Sequence, residues 1–325
     1  MCHGRFARVR PLAHSAFCAR VCMAAALTRP AVVHAHDIFA ALPGWLAARI
    51  ARARLVYDAH EFIIPQPDLR LSMRSRLFYR LERWTVLRAD LVIAANDERA
   101  ELMREHYSLP RTPLVVRNIP PLPPAPRAED EVLRDYPQLS RKRDGVVRLV
   151  YQGDVSLGRG IGSFAAAMDL LGDGFELIVV GDGPDLDRLR ETAGTNVLLL
   201  GQVPRADLND ILSLCDIGIV AYSFESLNNV YCAPNKLYEY AQAGLPVIAT
   251  AQPTLRAVVE QFGIGMVVER DSAPEQIAAS LRELAGAIDG CRSNLPKLLS
   301  AHRWEDERER LLGVYRELLG GSRCR

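Results

Sequence analysis

A predicted loop, a short helix and a buried strand follow one another in residues 225–248, and the residues at their junctions suit anion binding. The loop ends at Pro234 and the helix starts at Asn235, because proline fixes a backbone torsion that can begin a helix. The first backbone N–H groups of a helix have no partner within it, so they attract anions. Lys236 adds a cation at this end, and Glu239 follows about one turn later. This layout is typical of a nucleotide site in which phosphates and a ribose share one helix end.

Two glycine-containing turns in the second half of the chain are further candidates for phosphate binding. The first, in residues 151–160, joins an apolar strand to a helical pattern and contains Gly153 and Arg159. Glycine lets the backbone approach a phosphate closely, and arginine can neutralise it; an exposed, solvated arginine is the alternative. Gly183 lies in the second turn, Gly-Asp-Gly-Pro at 181–184, after another apolar strand. Ligands bind at such strand ends, although a tight turn before a helix would need the same residues.

Imidazoles and carboxylates are concentrated at the carboxyl ends of two predicted strands in the first half of the chain. They are His34, His36, Asp37, Asp58, His60 and Glu61. Such groups coordinate zinc or manganese, so a metal-dependent hydrolase is one interpretation. We expect no bound metal, because no further cluster of ligands follows downstream and the second half is occupied by nucleotide-type turns.

The composition is that of an ordinary globular enzyme, with 49% hydrophobic and 24% charged residues. A length of 325 residues suits two domains, each with its own core. The net charge of +1 gives no general attraction to nucleic acid, so we expect no nucleic-acid partner. The seven cysteines are scattered without zinc-ribbon spacing, which favours reduced thiols in a cytoplasmic protein.

Strand-like apolar runs alternate with helical patterns along nearly the whole chain, which predicts an α/β fold with parallel sheets. We expect a first domain over 1–118, a proline-rich and then charged linker over 119–145, and a second domain over 146–302. An amphipathic helix is predicted over 303–320. The predicted strands are Val32–Ala35, Leu55–Tyr57, Leu91–Ala94, Leu114–Val116, Val146–Tyr151, Leu177–Val180, Val197–Leu200, Ile217–Ala221, Val247–Ala249 and Met266–Val268.

The predicted helix Arg70–Arg88 alternates arginines with apolar residues, so that one face is basic. A helix of this type can lie on an anionic lipid surface. The solvated face of an ordinary surface helix is the alternative. The apolar run Val21–Leu27 is too short to cross a bilayer. We therefore expect a cytoplasmic protein, and peripheral contact with the inner membrane face stays open.

Residues 225–248 resemble the donor-sugar motif of retaining glycosyltransferases with the GT-B architecture, the group 1 or family 4-like enzymes. The resemblance implies two Rossmann-like domains that face a cleft, with the final helix crossing back to the first domain. It also implies that Glu239, just before Ala-Gln-Ala-Gly-Leu-Pro-Val in this motif, accepts hydrogen bonds from the ribose hydroxyls. Where the family usually has another glutamate that contacts the donor sugar, this chain has Tyr231.

The other turns match the same family in part. Arg159 matches a cation on the donor diphosphate, whereas Asp154 stands where the family has an arginine. Gly183 belongs to a Gly-x-Gly-Pro turn, and Val203, in the next connection, is implied to contact the nucleobase through its backbone. The segment Tyr-Asp-Ala-His-Glu resembles a family strand end and implies that His60 lies near the reacting sugar; a structural histidine is the alternative.

The resemblance thus predicts a metal-independent enzyme that transfers a sugar from a nucleoside-diphosphate sugar to a hydroxyl of a sugar or lipid-linked acceptor, in polysaccharide or glycoconjugate biosynthesis. The donor is a substrate, and no cofactor is expected. The predicted catalytic residues are His60, Arg159 and Lys236. The predicted donor-binding residues are Gly153, Arg159, Gly183, Val203, Asn235, Lys236 and Glu239. A non-catalytic GT-B scaffold that binds nucleotide is the alternative, and a metal-dependent hydrolase is a further one.

The beginning of the chain departs from the family pattern. The strand Val32–Ala35 comes early, whereas the resemblance implies at least two strand–helix units before it. We therefore expect an incomplete first domain. The protein should then still bind nucleotide but transfer sugar poorly, because part of the cleft would be open to water.

Overall fold

The computed structural model describes residues 11–61, 63–64, 72–156 and 159–320. The chain divides into two compact units. Unit 1 comprises Met1–Asn118, Glu225–Ala233 and Trp304–Arg325. Unit 2 comprises Ile119–Phe224 and Pro234–Arg303, so the chain passes from one unit to the other several times.

Helices and strands alternate along the described chain. The strands are β1 (Val32–His36), β2 (Arg54–Ala59), β3 (Leu91–Ala94), β4 (Leu114–Val115), β5 (Val147–Gln152), β6 (Phe175–Val180), β7 (Val197–Gly201), β8 (Ile217–Val220), β9 (Val247–Thr250) and β10 (Gly265–Val268). The helices are α1 (Pro11–Thr28), α2 (Asp37–Ala51), α3 (Met73–Val86), α4 (Asp97–Tyr107), α5 (Glu129–Asp135), α6 (Ile161–Leu171), α7 (Leu186–Thr192), α8 (Leu208–Ser213), α9 (Leu227–Val230), α10 (Asn235–Gln242), α11 (Pro253–Phe262), α12 (Pro274–Ala301) and α13 (Trp304–Gly320). Every strand predicted from the sequence is confirmed, and its ends differ from the prediction by two residues at most.

The sheet of unit 1 has the strand order β1-β2-β3-β4, and each neighbouring pair is parallel. Val56 and Tyr57 of β2 are fully buried between the flanking helices, as expected for a strand of a parallel sheet. The carboxyl ends of the strands lie at one edge, where His36 of β1 is in register with Asp58 of β2.

The sheet of unit 2 has the order β10-β9-β8-β5-β6-β7, and it is also parallel throughout. The chain passes from β5 to β6 and β7 on one side and then adds β8, β9 and β10 on the other. The strand order therefore reverses between β5 and β8. Parallel α/β sheets bind ligands outside the carboxyl ends of the strands at such a switch point.

The last helix, α13, belongs to unit 1 and is bound to β4 and to the residues after it by polar contacts. The Glu307 carboxylate, 2% exposed, accepts a hydrogen bond from Arg117 Nη1 at 3.0 Å, and Arg310 Nη1 donates to the backbone oxygen of Val115 at 3.0 Å. The segment predicted as a linker carries α5 and belongs to unit 2, where Arg127 Nε donates to Asp210 Oδ2 at 2.7 Å. Within the described residues, none of the helices combines the length and apolar character needed to span a bilayer.

Helix α3 is shorter than the predicted helix Arg70–Arg88. It begins after Ser72, whose hydroxyl accepts a hydrogen bond from the backbone nitrogen of Ser75 at 3.1 Å and so caps the helix. It ends at Val86, and Arg70 lies outside the described residues.

Glu82 of α3 is fully buried, although its helix reads as a basic surface helix in the sequence. Its carboxyl oxygens accept hydrogen bonds from Tyr57 Oη at 3.2 Å, from Tyr107 Oη, and from the backbone nitrogen of Ile63 at 2.7 Å. These are neutral donors. Burial therefore dominates and raises the pKa of Glu82 to about 7, although the hydrogen bonds oppose the shift.

We predict that Glu82→Gln flattens the pH dependence of unit 1 unfolding. The folded state holds the Glu82 proton until the pH passes its pKa of about 7, whereas the unfolded chain releases it near 4.5. The free energy of unfolding should therefore fall as the pH rises between these values, by up to about 3 kcal/mol from this group. Glutamine cannot ionise and removes that loss. Urea unfolding, measured at both ends of the range, tests this.

Tryptophan fluorescence reports on this unit specifically, because Trp45, Trp84 and Trp304 all belong to unit 1. Glu105→Gln, on the exposed side of α4, is the matched control and should keep the wild-type pH dependence. An unchanged pH dependence in Glu82→Gln would show that Glu82 is ionised in the folded protein.

Candidate functional site

The switch point of unit 2 brings together the turn after β5, the end of β8 and the start of α10. Gly153, directly after β5, has φ +129°, a conformation that residues with a Cβ rarely adopt. A Cβ at this position would lie 3.6 Å from Nζ of Lys236, the second residue of α10. The two predicted site residues Gly153 and Lys236 are therefore neighbours.

Lys236 is 7% exposed, and its ammonium lies over two aromatic rings. Nζ is 4.3 Å from the ring centroid of Tyr151 in β5 and 5.1 Å from that of Tyr222 after β8. Arg159 approaches the same Tyr222 ring, with Cζ 5.4 Å from its centroid. Cation–π attraction of this kind holds a cation in place where little water reaches it. The structure thus collects two predicted phosphate-binding cations around one tyrosine.

Asp154, the departure from the family pattern, is the partner of Arg159. Its Oδ2 lies 3.2 Å from Arg159 Nε, and both side chains are partly exposed, at 47% and 30%. The backbone oxygen of Asp154 accepts a hydrogen bond from Tyr151 Oη at 2.8 Å. Burial raises the pKa of Tyr151 to about 12, so the phenol keeps the proton that it donates. The Asp154 carboxylate thus neutralises part of the positive charge with which Arg159 would attract a phosphate.

Glu239 lies on α10 and is 8% exposed. One carboxylate oxygen, Oε2, accepts a hydrogen bond from Nε2 of Gln152, the last residue of β5, and the other forms an ion pair with Arg205. Arg205 stands two residues after Val203, which is half-buried. The predicted base-contacting loop and the predicted ribose-binding residue are therefore adjacent. Asn235 is exposed at the first residue of α10.

Gly181 and Gly183 allow the turn after β6 to pack against the turn after β5. A Cβ on Gly181 would lie 1.9 Å from the backbone oxygen of Gly153, and one on Gly183 would lie 2.2 Å from that of Val155. The backbone nitrogen of Val155 donates to the oxygen of Asp182 at 2.9 Å. Turn packing therefore accounts for both glycines, and a contact of Gly183 with a ligand stays a prediction.

The edge of the unit 1 sheet carries a cluster of imidazoles around the Asp58 carboxylate. Oδ2 of Asp58 lies 3.2 Å from Nδ1 of His36, 3.4 Å from Nε2 of His34 and 3.4 Å from Nε2 of His60. The backbone nitrogen of His60 donates to Oδ1 of Asp37 at 3.0 Å, which fixes the end of this segment. His60 thus lies in unit 1, with the other histidines of the cluster, and the remaining predicted site residues lie in unit 2.

The cluster keeps the Asp58 carboxylate ionised. Burial alone would raise the pKa of Asp58, but the imidazoles of His34 and His60 hold it below the usual range. The hydrogen bond with Asp58 raises the pKa of His60, whereas burial lowers the pKa of His36. Neighbouring histidines thus differ in their affinity for a proton because their surroundings differ.

Arg99 of α4 is a residue that the sequence analysis missed. It is 5% exposed, and its guanidinium donates to three backbone oxygens: His60, Asn228 at 3.0 Å and Tyr231 at 2.6 Å. Asn96 Nδ2 also donates to the Tyr231 oxygen, at 3.2 Å. The loop that contains Tyr231 is therefore tied to the segment that contains His60 within the same unit. An arginine in an amphipathic helix gives no sequence signal for this function.

We predict that Arg99→Lys loosens residues 225–233. A lysine cannot donate to three carbonyl oxygens in the fork geometry of a guanidinium. Each hydrogen bond from a charged group contributes about 1.5–3 kcal/mol, so local opening should become at least tenfold more frequent. Hydrogen exchange, followed by mass spectrometry of the peptide that contains this segment, measures the change.

The control is Arg104→Lys on the same helix, where the exposed arginine pairs with Glu101. It should leave exchange in residues 225–233 unchanged. Equal exchange in the wild type and Arg99→Lys would mean that other contacts hold the segment.

Two family models match the chain in separate stretches. The Glycosyl transferase 4-like domain matches residues 3–119, and the model described as Glycosyl transferases group 1 matches residues 146–286. Together they match most of the chain. No curated protein gives a significant sequence match.

Solved structures share the architecture at low sequence identity. HepE from Anabaena, in complex with UDP, is 18% identical with a TM-score of 0.74, covering 93% of this chain and 82% of its own. Sucrose-phosphate synthase from Thermosynechococcus elongatus is 17% identical with a TM-score of 0.74, covering 96% and 79%. WaaG, a glycosyltransferase of lipopolysaccharide biosynthesis, is 16% identical with a TM-score of 0.65, covering 96% of both chains. These similarities establish the GT-B fold.

Proposed function

Because the chain belongs to the group 1, 4-like glycosyltransferases, we propose that it transfers a sugar from a nucleoside-diphosphate sugar to an acceptor hydroxyl with retention of configuration. The observation that carries the proposal is the pair of cations, Lys236 and Arg159, at the switch point beside the start of α10. HepE, a protein of the same fold, has been solved with UDP and with UDP-glucose, which makes a uridine donor the first to test.

The diphosphate site would consist of Lys236, Arg159 and the first backbone N–H groups of α10. Transfer from a nucleoside-diphosphate sugar releases a diphosphate, so negative charge develops on the leaving group. A buried ammonium, a guanidinium and a helix N-terminus all stabilise that charge without rearranging water. This arrangement needs no metal ion for the transfer step. Gly153 would let the diphosphate approach the backbone closely. We propose that the diphosphate also approaches the backbone at Gly183.

The ribose would bind to Glu239, and the two residues that contact Glu239 in the structure would have different roles. Gln152 is buried, and it would keep the carboxylate oriented while the ribose binds. Arg205 is 67% exposed, so its ion pair with Glu239 is weak and can give way to the ribose hydroxyls. The nucleobase would then lie against the backbone of Val203, and the exposed Asn235 would face the phosphates.

We predict that Glu239→Ala weakens nucleotide binding at least tenfold. Two hydroxyl hydrogen bonds to a carboxylate are lost, each of about 1.5–3 kcal/mol. Isothermal calorimetry with UDP, GDP and ADP measures the change and also ranks the bases. Glu260→Ala, an exposed glutamate of the same unit, is the control and should bind like the wild type. Wild-type affinity in a folded Glu239→Ala protein would remove the ribose assignment.

A second prediction uses the Arg159–Asp154 ion pair. Arg159→Ala should weaken UDP binding more than uridine binding, because only the phosphates interact with the cation. Asp154→Asn should act in the opposite direction and strengthen UDP binding, since it frees the guanidinium. Calorimetry with both ligands tests each variant, and Arg188→Ala, exposed on α7, is the control. Equal losses of UDP and uridine affinity in Arg159→Ala would contradict a phosphate contact.

His60 is the proposed contact with the reacting sugar from unit 1. Its imidazole is 55% exposed, so it is open to a ligand, and Arg99 holds its backbone. The acceptor would be a sugar or a lipid-linked sugar, as in polysaccharide or glycoconjugate biosynthesis. Helix α3 supports a lipid-linked acceptor, because Met73 is 86% and Leu77 63% exposed beside the arginines of that helix.

A non-catalytic nucleotide-binding scaffold is the second candidate, and the Asp154–Arg159 ion pair favours it, because it reduces the charge available to a diphosphate. Incubation with UDP-glucose and released UDP as the readout separates the two. Binding without any release of UDP, from either transfer or hydrolysis, identifies the scaffold.

A further inference from the structure

The histidine cluster of unit 1 has the dimensions of a metal site. Nε2 of His34, Nδ1 of His36 and a carboxylate oxygen of Asp58 all lie within 4.8 Å of one another. The two nitrogens are 3.4 and 3.2 Å from Oδ2 of Asp58. A zinc ion with tetrahedral ligands at 2.0–2.1 Å places its ligand atoms roughly 3.3 Å apart. The spacing to Asp58 therefore matches a tetrahedral site before any ion is bound.

His60 lies beside the three residues of this group. Its Nε2 lies 3.1 Å from Nδ1 of His36 and 3.4 Å from Oδ2 of Asp58. The backbone around it is held by Asp37, which accepts hydrogen bonds from the nitrogens of His60 and Glu61 at 3.0 and 3.1 Å. The His60 imidazole is thus held next to the three proposed ligands without being one of them.

The contact of Tyr315 with His34 is the kind of support that metal-binding histidines have. Tyr315 Oη lies 2.6 Å from Nδ1 of His34, and a Nδ1–H that donates to this oxygen leaves a lone pair on Nε2. That Nε2 is buried and has no hydrogen-bond partner among the described residues. It lies 3.4 Å from Oδ2 of Asp58, so a cation bound between the two atoms would be shared by both.

We propose that unit 1 binds a divalent transition metal, with zinc as the best fit, through His34, His36 and Asp58. Two imidazole nitrogens and one carboxylate oxygen suit zinc, cobalt or nickel, whereas magnesium and calcium prefer oxygen ligands. The site goes beyond the proposed sugar transfer, because none of its three ligands has a role in that reaction, although His60 beside them is the proposed sugar contact. It does not depend on that function.

The test is metal binding to the full chain, independent of activity. The purified protein is stripped with a chelator, freed of it by gel filtration and titrated with zinc chloride against a chromophoric competitor. The wild type should bind one zinc ion. His36→Ala, which removes a half-exposed ligand, should lower the affinity at least tenfold, and Tyr315→Phe, which removes the support of His34, should lower it by a smaller factor.

His106→Ala is the matched control, because this histidine belongs to the same unit and contacts Tyr79 instead of the cluster. It should bind zinc like the wild type, and tryptophan fluorescence should report an intact unit 1 in every variant. Cobalt chloride should give the intense visible absorption of a tetrahedral site in the wild type and not in His36→Ala. Failure of the wild type to bind zinc, or an equal loss of affinity in His106→Ala, would overturn the proposal.

Discussion

The parallel direction of all strands is the constraint on which the rest of the structure depends. Within a parallel sheet every carboxyl end lies at the same edge, so the residues that follow the strands become neighbours whatever their distance in sequence. In unit 2 this edge holds Gly153 after β5, Tyr222 after β8 and the turn after β6. In unit 1 it holds His36 of β1, which is in register with Asp58 of β2. Each unit therefore has one chemically active edge.

The chemistry of the two edges differs because their charges are held differently. In unit 2 the cations Lys236 and Arg159 lie against aromatic rings, which attract them without neutralising their charge. Arg159 is also paired with Asp154, so the two cations differ in how much of their charge is already balanced. In unit 1 the charge is a carboxylate surrounded by nitrogen atoms, so the edge is suited to a cation or a proton. The proposed anion site and the proposed cation site thus belong to separate units.

Much of this could be predicted from the sequence, because the strands are short apolar runs and the turns between them carry glycine, proline and charged residues. The family resemblance of residues 225–248 is confirmed by the family models and the fold. The sequence did not predict contacts between residues that are far apart in the chain, because the periodicity of a segment carries no information about them. Examples are the hydrogen bond from Gln152 to Glu239 and the one from Arg99 to the carbonyl oxygen of Tyr231. The burial of Glu82 could not be predicted for a similar reason, because it depends on neighbours from β2 and α4.

Two carboxylates of unit 1 explain why we place the proposed cation site at the edge of the sheet and not in the core. Glu82 is buried, and its hydrogen bonds from neutral donors offset that effect only in part, so its pKa rises to about 7 and the side chain keeps its proton below that pH. Asp58 is partly exposed and lies among imidazoles, so its pKa falls and the carboxylate stays ionised. A carboxylate coordinates a metal ion in its ionised form, so any proton on it must first be released. Glu82 carries such a proton below about pH 7 and Asp58 does not, and this difference arises from burial and neighbours.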